Sequence, residues 1–185
     1  DSIRTAEGSW ERNFVKLINP LGEENSVMRT VLMPNMMEVL ARNYTRNIDK
    51  VNAFEIGNTF VNNTQEDDVL PYEQYALCIG MYGKDEDFYS LKGVVEELFH
   101  VLGIKDPIFA GEADLGAFHP GRCARISVIS GENGEPVQLG VMGEVHPDVA
   151  EQYGMEGVRI YCCELMFDAI RDNSDRTILY TPLPK

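Results

Sequence analysis

The sequence predicts an α+β domain in which an antiparallel sheet is flanked by helices. Two stretches carry apolar residues at i, i+3, i+4 and i+7, the signature of a helix with one buried face. Between and after them lie runs rich in β-branched and aromatic residues, several joined by turn segments short enough for hairpins. At 185 residues and 44% hydrophobic, the chain can close a core without a disulfide or metal staple.

The first fourteen residues show no clear period and are expected to be a frayed end or a strand of a longer protein. Asn19-Pro20-Leu21-Gly22 reads as a turn, because Pro presets φ and Gly accepts φ > 0. Met33, Met36, Met37, Leu40 and Tyr44 define the first helix, with Arg42, Asn43 and Arg46 on its polar side. Residues 51–61 read as a strand, with Gly57 a bulge or a point of close approach. Residues 62–73, which include the acidic run Gln65-Glu66-Asp67-Asp68, read as a loop. Residues 75–82 form a short apolar run, the pattern of a buried strand. Leu91, Val94, Val95, Leu98 and Leu102 repeat the helical spacing, with Ser90 as N-cap and Gly103 as C-cap.

Residues 122–130 alternate, Cys123, Arg125, Ser127 and Ile129 on one face, Arg122, Ala124, Ile126 and Val128 on the other. Gly131-Glu132-Asn133-Gly134 is a hairpin turn to an antiparallel return over residues 137–142. His146-Pro147-Asp148 opens a short helix through Tyr153, and residues 158–167 form the last strand. The two long helices are expected on one face of this sheet. Residues 1–175 are taken as one domain and residues 176–185, with Pro182 and Pro184, as a linker toward a segment beyond it.

Charge narrows the function. Sixteen basic against thirty acidic residues give −14, and a chain this acidic repels a polyanion at long range. A standalone nucleic-acid binder and an anionic-membrane binder are both disfavoured. No run of eighteen apolar residues and no apolar N-terminal segment occur, so neither insertion nor export is expected, and a cytoplasmic location is. Cys78, Cys123, Cys162 and Cys163 form no C-x-x-C pair, and His100, His119 and His146 are scattered. Free buried thiols in a reducing compartment are expected, with no metal site.

The chain has no phosphate-cradling glycine loop and no nucleophile elbow. The carboxylate neighbours Glu96-Glu97 and Asp85-Glu86-Asp87 read as solvated surface. His119-Pro120-Gly121-Arg122 and His146-Pro147 are the remaining candidates, since a His before Pro is held extended. Acid–base catalysis would need His119, Arg122, Glu144 and His146 to converge on one pocket; the alternative is turn histidines with satisfied hydrogen bonds. Met28, Met33, Met36 and Met37 read as core filling or a docking surface.

Six blocks in order carry a resemblance: Asn19-Pro20-Leu21; Ser26-Val27-Met28-Arg29-Thr30 with Leu32-Met33-Pro34; Phe54-Glu55-Ile56-Gly57 with Phe60; Ser90-Leu91-Lys92-Gly93; His119-Pro120-Gly121-Arg122; and Leu139-Gly140-Val141-Met142-Gly143-Glu144-Val145-His146-Pro147. From about Val15 to Lys185 the chain closely resembles the core module of the bacterial-type phenylalanyl-tRNA synthetase beta subunits. The resemblance implies a class II aminoacyl-tRNA synthetase catalytic-like fold. It also implies a catalytic alpha subunit as partner in an (αβ)₂ heterotetramer, with tRNA(Phe) bound by the whole enzyme. ATP and Mg²⁺ would serve the whole enzyme and not this module, and the ending Thr181-Pro182-Leu183-Pro184-Lys185 would lead into a C-terminal anticodon-binding domain.

Against the family's catalytic pattern, the second class II motif should supply an arginine and a glutamate after a Gly-x-x-Phe strand. Here Gly57-Asn58-Thr59-Phe60 continues so that the arginine place falls on Val61 and the glutamate place on Asn63. In the third motif, the stretch 161–167 lacks the glycines, and Phe167 stands near the second arginine place. Val and Phe offer phosphate no donor, and removing one such donor typically costs about 10²–10³ in rate. The expectation is a non-catalytic module with no catalytic, cofactor or metal residues of its own, an assembly partner within phenylalanine–tRNA ligase. The alternatives are a free-standing tRNA-binding or regulatory paralogue of a class II synthetase and an enzyme in its own right.

Overall fold

A computed structural model describes residues 2–22, 26–62, 70–130, 134–175 and 177. Its centre is a six-stranded antiparallel sheet in the order β1-β2-β6-β5-β4-β3. The strands are β1 Val51–Val61, β2 Tyr72–Tyr82, β3 Ile108–Glu112, β4 Phe118–Ser130, β5 Glu135–Val145 and β6 Ile160–Met166, with helices α1 Met33–Tyr44, α2 Phe88–Leu102, α3 Pro147–Gln152 and α4 Phe167–Asp172.

The central strands are mostly apolar because both their faces are covered. On β2, Ala76, Cys78 and Tyr82 pack toward α1, while Leu77, Ile79 and Met81 pack toward α2. On β6, Ile160 and Cys162 join the α1 side; Tyr161, Cys163 and Leu165 join the α2 side. The adjacent cysteines 162 and 163 thus face opposite ways, as a strand requires, and all four cysteines are free and buried. The two long helices therefore lie on opposite faces of the sheet, which corrects the expectation of a single helical face. The close approach of α1 to the sheet has a local cause at Gly80, where a Cβ would meet Met36 of α1 at 2.5 Å.

α1 and β1 have the bounds their periodicity predicts. α2 begins earlier than expected: Asp87 is the N-cap, its carboxylate accepting from the Ser90 amide at 2.7 Å, while the Ser90 hydroxyl accepts from the Asp87 amide at 3.3 Å. Ser90 is the third residue of that capping box and not the cap. The buried stripe is Leu91, Val95 and Phe99, whereas Val94 faces outward. Gly103 closes the helix at φ 72.

β2 starts at Tyr72, inside the stretch read as loop; the acidic run 65–68 lies outside the described residues. β3 and α4 are elements the periodicity did not predict. β4 and β5 extend past their expected ends, and their pairing of Ser130 with Glu135 requires the expected chain reversal, although residues 131–133 lie outside the described ones. The N-terminal segment is not frayed. Ile3 is buried, Trp10–Arg12 form a 3-10 turn, the Thr30 hydroxyl donates to the Glu11 carbonyl at 2.6 Å, and the Asn62 amide donates to the Asn13 carbonyl at 2.9 Å. Beyond it the chain bends at Asn19, Leu21 and Gly22, and Lys16 pairs with Val27 across that reversal. At the other end α4 and the bond from the Asp175 amide to the Leu102 carbonyl tie residues 172–175 to the domain; of the linker expected over 176–185, all but residue 177 lies outside the described residues.

Candidate functional site

Strand alternation places Glu55, Gly57, Thr59 and Val61 of β1 on the α1 side, level with Ala76, Cys78 and Gly80 of β2 and with Cys162, Glu164 and Met166 of β6. This three-strand face is where the expected nucleotide hollow would lie, and α1 packs over it. One register row crosses it as Glu55, Cys78 and Glu164.

Two internal ligations close the hollow. Arg29, on the segment leading into α1, donates from Nη1 to Glu55 Oε1 at 2.6 Å and from Nε to the Asn58 carbonyl at 2.9 Å. Its guanidinium lies over Gly57, where any Cβ would collide with Nη2. The register of β1 on β2 is unbroken, so Gly57 is a close-approach glycine and not a bulge. Glu164 is the second brace. Its carboxylate accepts from the Leu32 amide at 3.0 Å and from the Met33 amide at 2.9 Å, taking two of the unpaired donors at the start of α1. Burial pushes the Glu164 carboxyl up to about 7, while the Leu32 and Met33 amides and Arg29 pull it down. Cys78 and Cys162 lie in the same layer, and burial raises both thiols, that of Cys162 to about 12.

Val61 is buried opposite Tyr72. Phe167 opens α4 with its ring 6.0 Å from that of Tyr75, on the α2 side of the sheet and turned away from the hollow. Asn63 lies outside the described residues. Of the charged side chains named on this face, two are carboxylates and one is a guanidinium already bound to one of them. A triphosphate would meet there two carboxyl groups and a guanidinium already engaged with Glu55 and the Asn58 carbonyl.

The four candidates gather at one end of β4 and β5, close enough for His119 to help lower the His146 pKa, but each is engaged separately and they form no common pocket. Arg122 Nη1 donates to both oxygens of the buried Glu144 at 2.9 and 3.0 Å. His146 instead caps α3, its Nδ1 accepting from the Asp148 amide at 3.2 Å and lying 2.5 Å from Arg4 Nη1. Burial, then Arg4, lowers its pKa, which matches a ring nitrogen that accepts. His119 Nδ1 lies 2.7 Å from the Pro120 carbonyl. Two cavities found among the described residues are lined by none of these four. The larger, an open groove of about 700 Å³, sits at the C-terminal end of α1 between Tyr44, Asp49, Tyr82 and Arg159. Among the described residues no three His, Cys, Asp or Glu side chains are grouped to hold a metal, and no helix is long and apolar enough to cross a membrane.

Sequence reasoning noted Glu55 and Arg29 only as members of a resembling block and missed both braces. The signal for Glu164 was a lone acid in an apolar strand, since buried charges are rarely left unpaired.

A family model described as the phenylalanyl tRNA synthetase beta chain CLM domain matches residues 1–167. A phenylalanine–tRNA ligase beta subunit of Clostridium acetobutylicum is 42% identical over 185 residues, all of this chain and 22% of that protein. One of Clostridium tetani is 40% identical over the same span and share, and one of Carboxydothermus hydrogenoformans is 35% identical over 179 residues, 91% of this chain and 21% of its own. The chain spans about a fifth of the length of these curated relatives.

Proposed function

We propose that this chain, which belongs to the phenylalanyl-tRNA synthetase beta chain family, works as a non-catalytic module that assembles with a catalytic alpha subunit in phenylalanine–tRNA ligase. Its sheet, on this reading, is a class II synthetase-like core whose substrate face has been converted into packing. The two internal braces carry the conclusion: Arg29 on Glu55 and Glu164 on the α1 amides use up the polar groups that a substrate would need. The whole ligase would use ATP and Mg²⁺ and bind tRNA(Phe) in the cytoplasm as an (αβ)₂ assembly. The hollow does not suit a magnesium–triphosphate complex, so no step of adenylate chemistry is assigned to this chain.

Isothermal titration of the 185-residue chain with ATP·Mg²⁺ tests the reading, alongside co-purification with the matching alpha subunit. The expected result is no saturable nucleotide heat together with alpha-subunit capture. A low-micromolar nucleotide site in the isolated chain would overturn it.

A further inference from the structure

The two edges of the sheet are treated differently. β3 has five residues, and its Glu112 is bound to Arg125 of β4 at 2.9 Å. Short edge strands and charged edge residues are the usual protections against unwanted pairing. β1 has eleven residues and an unbroken register on β2; its stretch from Asn52 to Asn58 contains neither Lys nor Pro, and its one charge, Glu55, points to the α1 side and is bound to Arg29.

Backbone polarity locates the open part of that edge. The Phe60 amide donates outward to the Arg29 carbonyl at 2.8 Å, the Asn62 amide donates outward to Asn13, and the Asn58 carbonyl accepts from Arg29. In an antiparallel ladder both backbone groups of one residue point the same way, so Asn52, Phe54 and Ile56 also present N–H and C=O outward. Among the described residues no hydrogen bond reaches those groups. The chain's own segments cover one end of the edge and leave the other bare.

Beside the bare edge lies an apolar face. Phe54 is 72% exposed, Ile56 50% and Tyr75 52%. Phe54 pairs with Ile79 and Ile56 with Leu77, so the three share the α2-side face of two neighbouring strands, beyond the reach of α2. The exposed Glu73, opposite Phe60, stands beside the patch. A second copy would carry a further net −14 over its whole length, which opposes self-pairing and favours a cationic segment.

We propose that the outer edge of β1, with the Phe54, Ile56 and Tyr75 face, docks an extended cationic segment of the alpha subunit as an added strand of the sheet. The proposal rests on the assembly reading above and names where that assembly is made. Backbone bonds to Asn52, Phe54 and Ile56 supply affinity, and alternate apolar side chains of the incoming strand cover the patch.

The test uses the full 185-residue chain and purified alpha subunit in sedimentation and titration. Ile56→Pro removes one outward N–H and no β1–β2 ladder bond, a place where an edge strand tolerates Pro. Phe54→Glu puts a charge on the exposed face; Val101→Glu, on the outer side of α2, is the control. The proposal expects Ile56→Pro and Phe54→Glu each to weaken alpha-subunit binding at least tenfold with an unchanged unfolding midpoint, and Val101→Glu to bind as the parent does. Phe54→Glu, at an exposed side chain, decides the question if the Pro variant unfolds. Parent-like binding by folded edge variants would overturn the β1 edge as the dock and leave the assembly reading standing. Absence of binding by the unmodified chain would overturn both. Self-association abolished by Ile56→Pro would assign the edge to a second copy and overturn the choice of partner.

Discussion

Glu164→Gln separates the two forces acting on the buried carboxylate at the start of α1. Burial favours the neutral acid, the two amides and Arg29 favour the anion, and the balance leaves the group near 7 against its ordinary 4.5. Below pH 4.5 the acid is protonated in both folded and unfolded chains and contributes no pH dependence. As pH rises from 4.5 to 7 the unfolded chain releases its proton first, so the folded state loses stability relative to it, and the loss is complete above 7. The gap corresponds to about 3 kcal/mol at about 1.4 kcal/mol per pH unit. Gln keeps an acceptor for one or both amides and does not titrate. Urea unfolding of the parent and Glu164→Gln between pH 4.5 and 8 should therefore show the variant gaining on the parent by up to about 3 kcal/mol as pH rises. A difference that stays flat across this range would mean that the anion persists throughout, and the burial argument would fall. Glu164→Ala leaves both amides bare in the core and should cost about 3 kcal/mol at pH 6, or roughly 6–12 °C in unfolding midpoint for a chain of this size.

Gly140→Ala should be among the most damaging single-methyl additions, because its Cβ would collide with the Glu164 main-chain oxygen, which cannot turn aside; loss of soluble, folded protein by circular dichroism is the expected outcome. Gly93→Ala, at an open site within α2, should instead raise stability by about 0.5–1 kcal/mol in urea titration. Asp87→Ala removes the α2 cap and should cost about 1 kcal/mol by the same measurement. Cys78, Cys162 and Cys163, with thiols raised by burial, should resist an aromatic disulfide reagent in the folded chain and react together once urea unfolds it.

The legible part of this fold was the part whose residues face one way. α1 was readable because it has one buried side, so period and burial coincide, and β1 because its run is rich in β-branched and aromatic residues, although Phe54 and Ile56 lie on its exposed face. β2 and β6 were readable as strands but not for their partners. A strand apolar on both faces does not say that helices cover both, and that ambiguity produced the expectation of a single helical layer. β3 escaped notice because an edge strand of five residues with only part of its surface buried leaves almost no pattern. α4 was absorbed into the preceding strand since its first residue, Phe167, looks like a continuation of the apolar run in β6. The capping box of α2 failed for a subtler reason: both Asp87 and Ser90 can cap, and only the position of the first helical turn tells which of them does.

The candidate site divides along the same physical line. Missing cations can be sought in a sequence by comparing places, and that comparison led to Val61, which is on the α1-side face, and to Phe167, which is not. What fills the hollow cannot be read that way, because Arg29, Glu55 and Glu164 come from three separate parts of the chain. Their pairing matters to the conclusion more than the absent arginines do. An empty polar hollow could regain nucleotide by a single substitution, whereas this one would first have to break two charge-assisted contacts and uncover the start of a helix. Val61→Arg should accordingly produce no saturable ATP·Mg²⁺ heat, because the new guanidinium enters a face already committed to its own ligands. Nucleotide binding restored by that one change would show that the braces are incidental and that the arginine alone decided the matter.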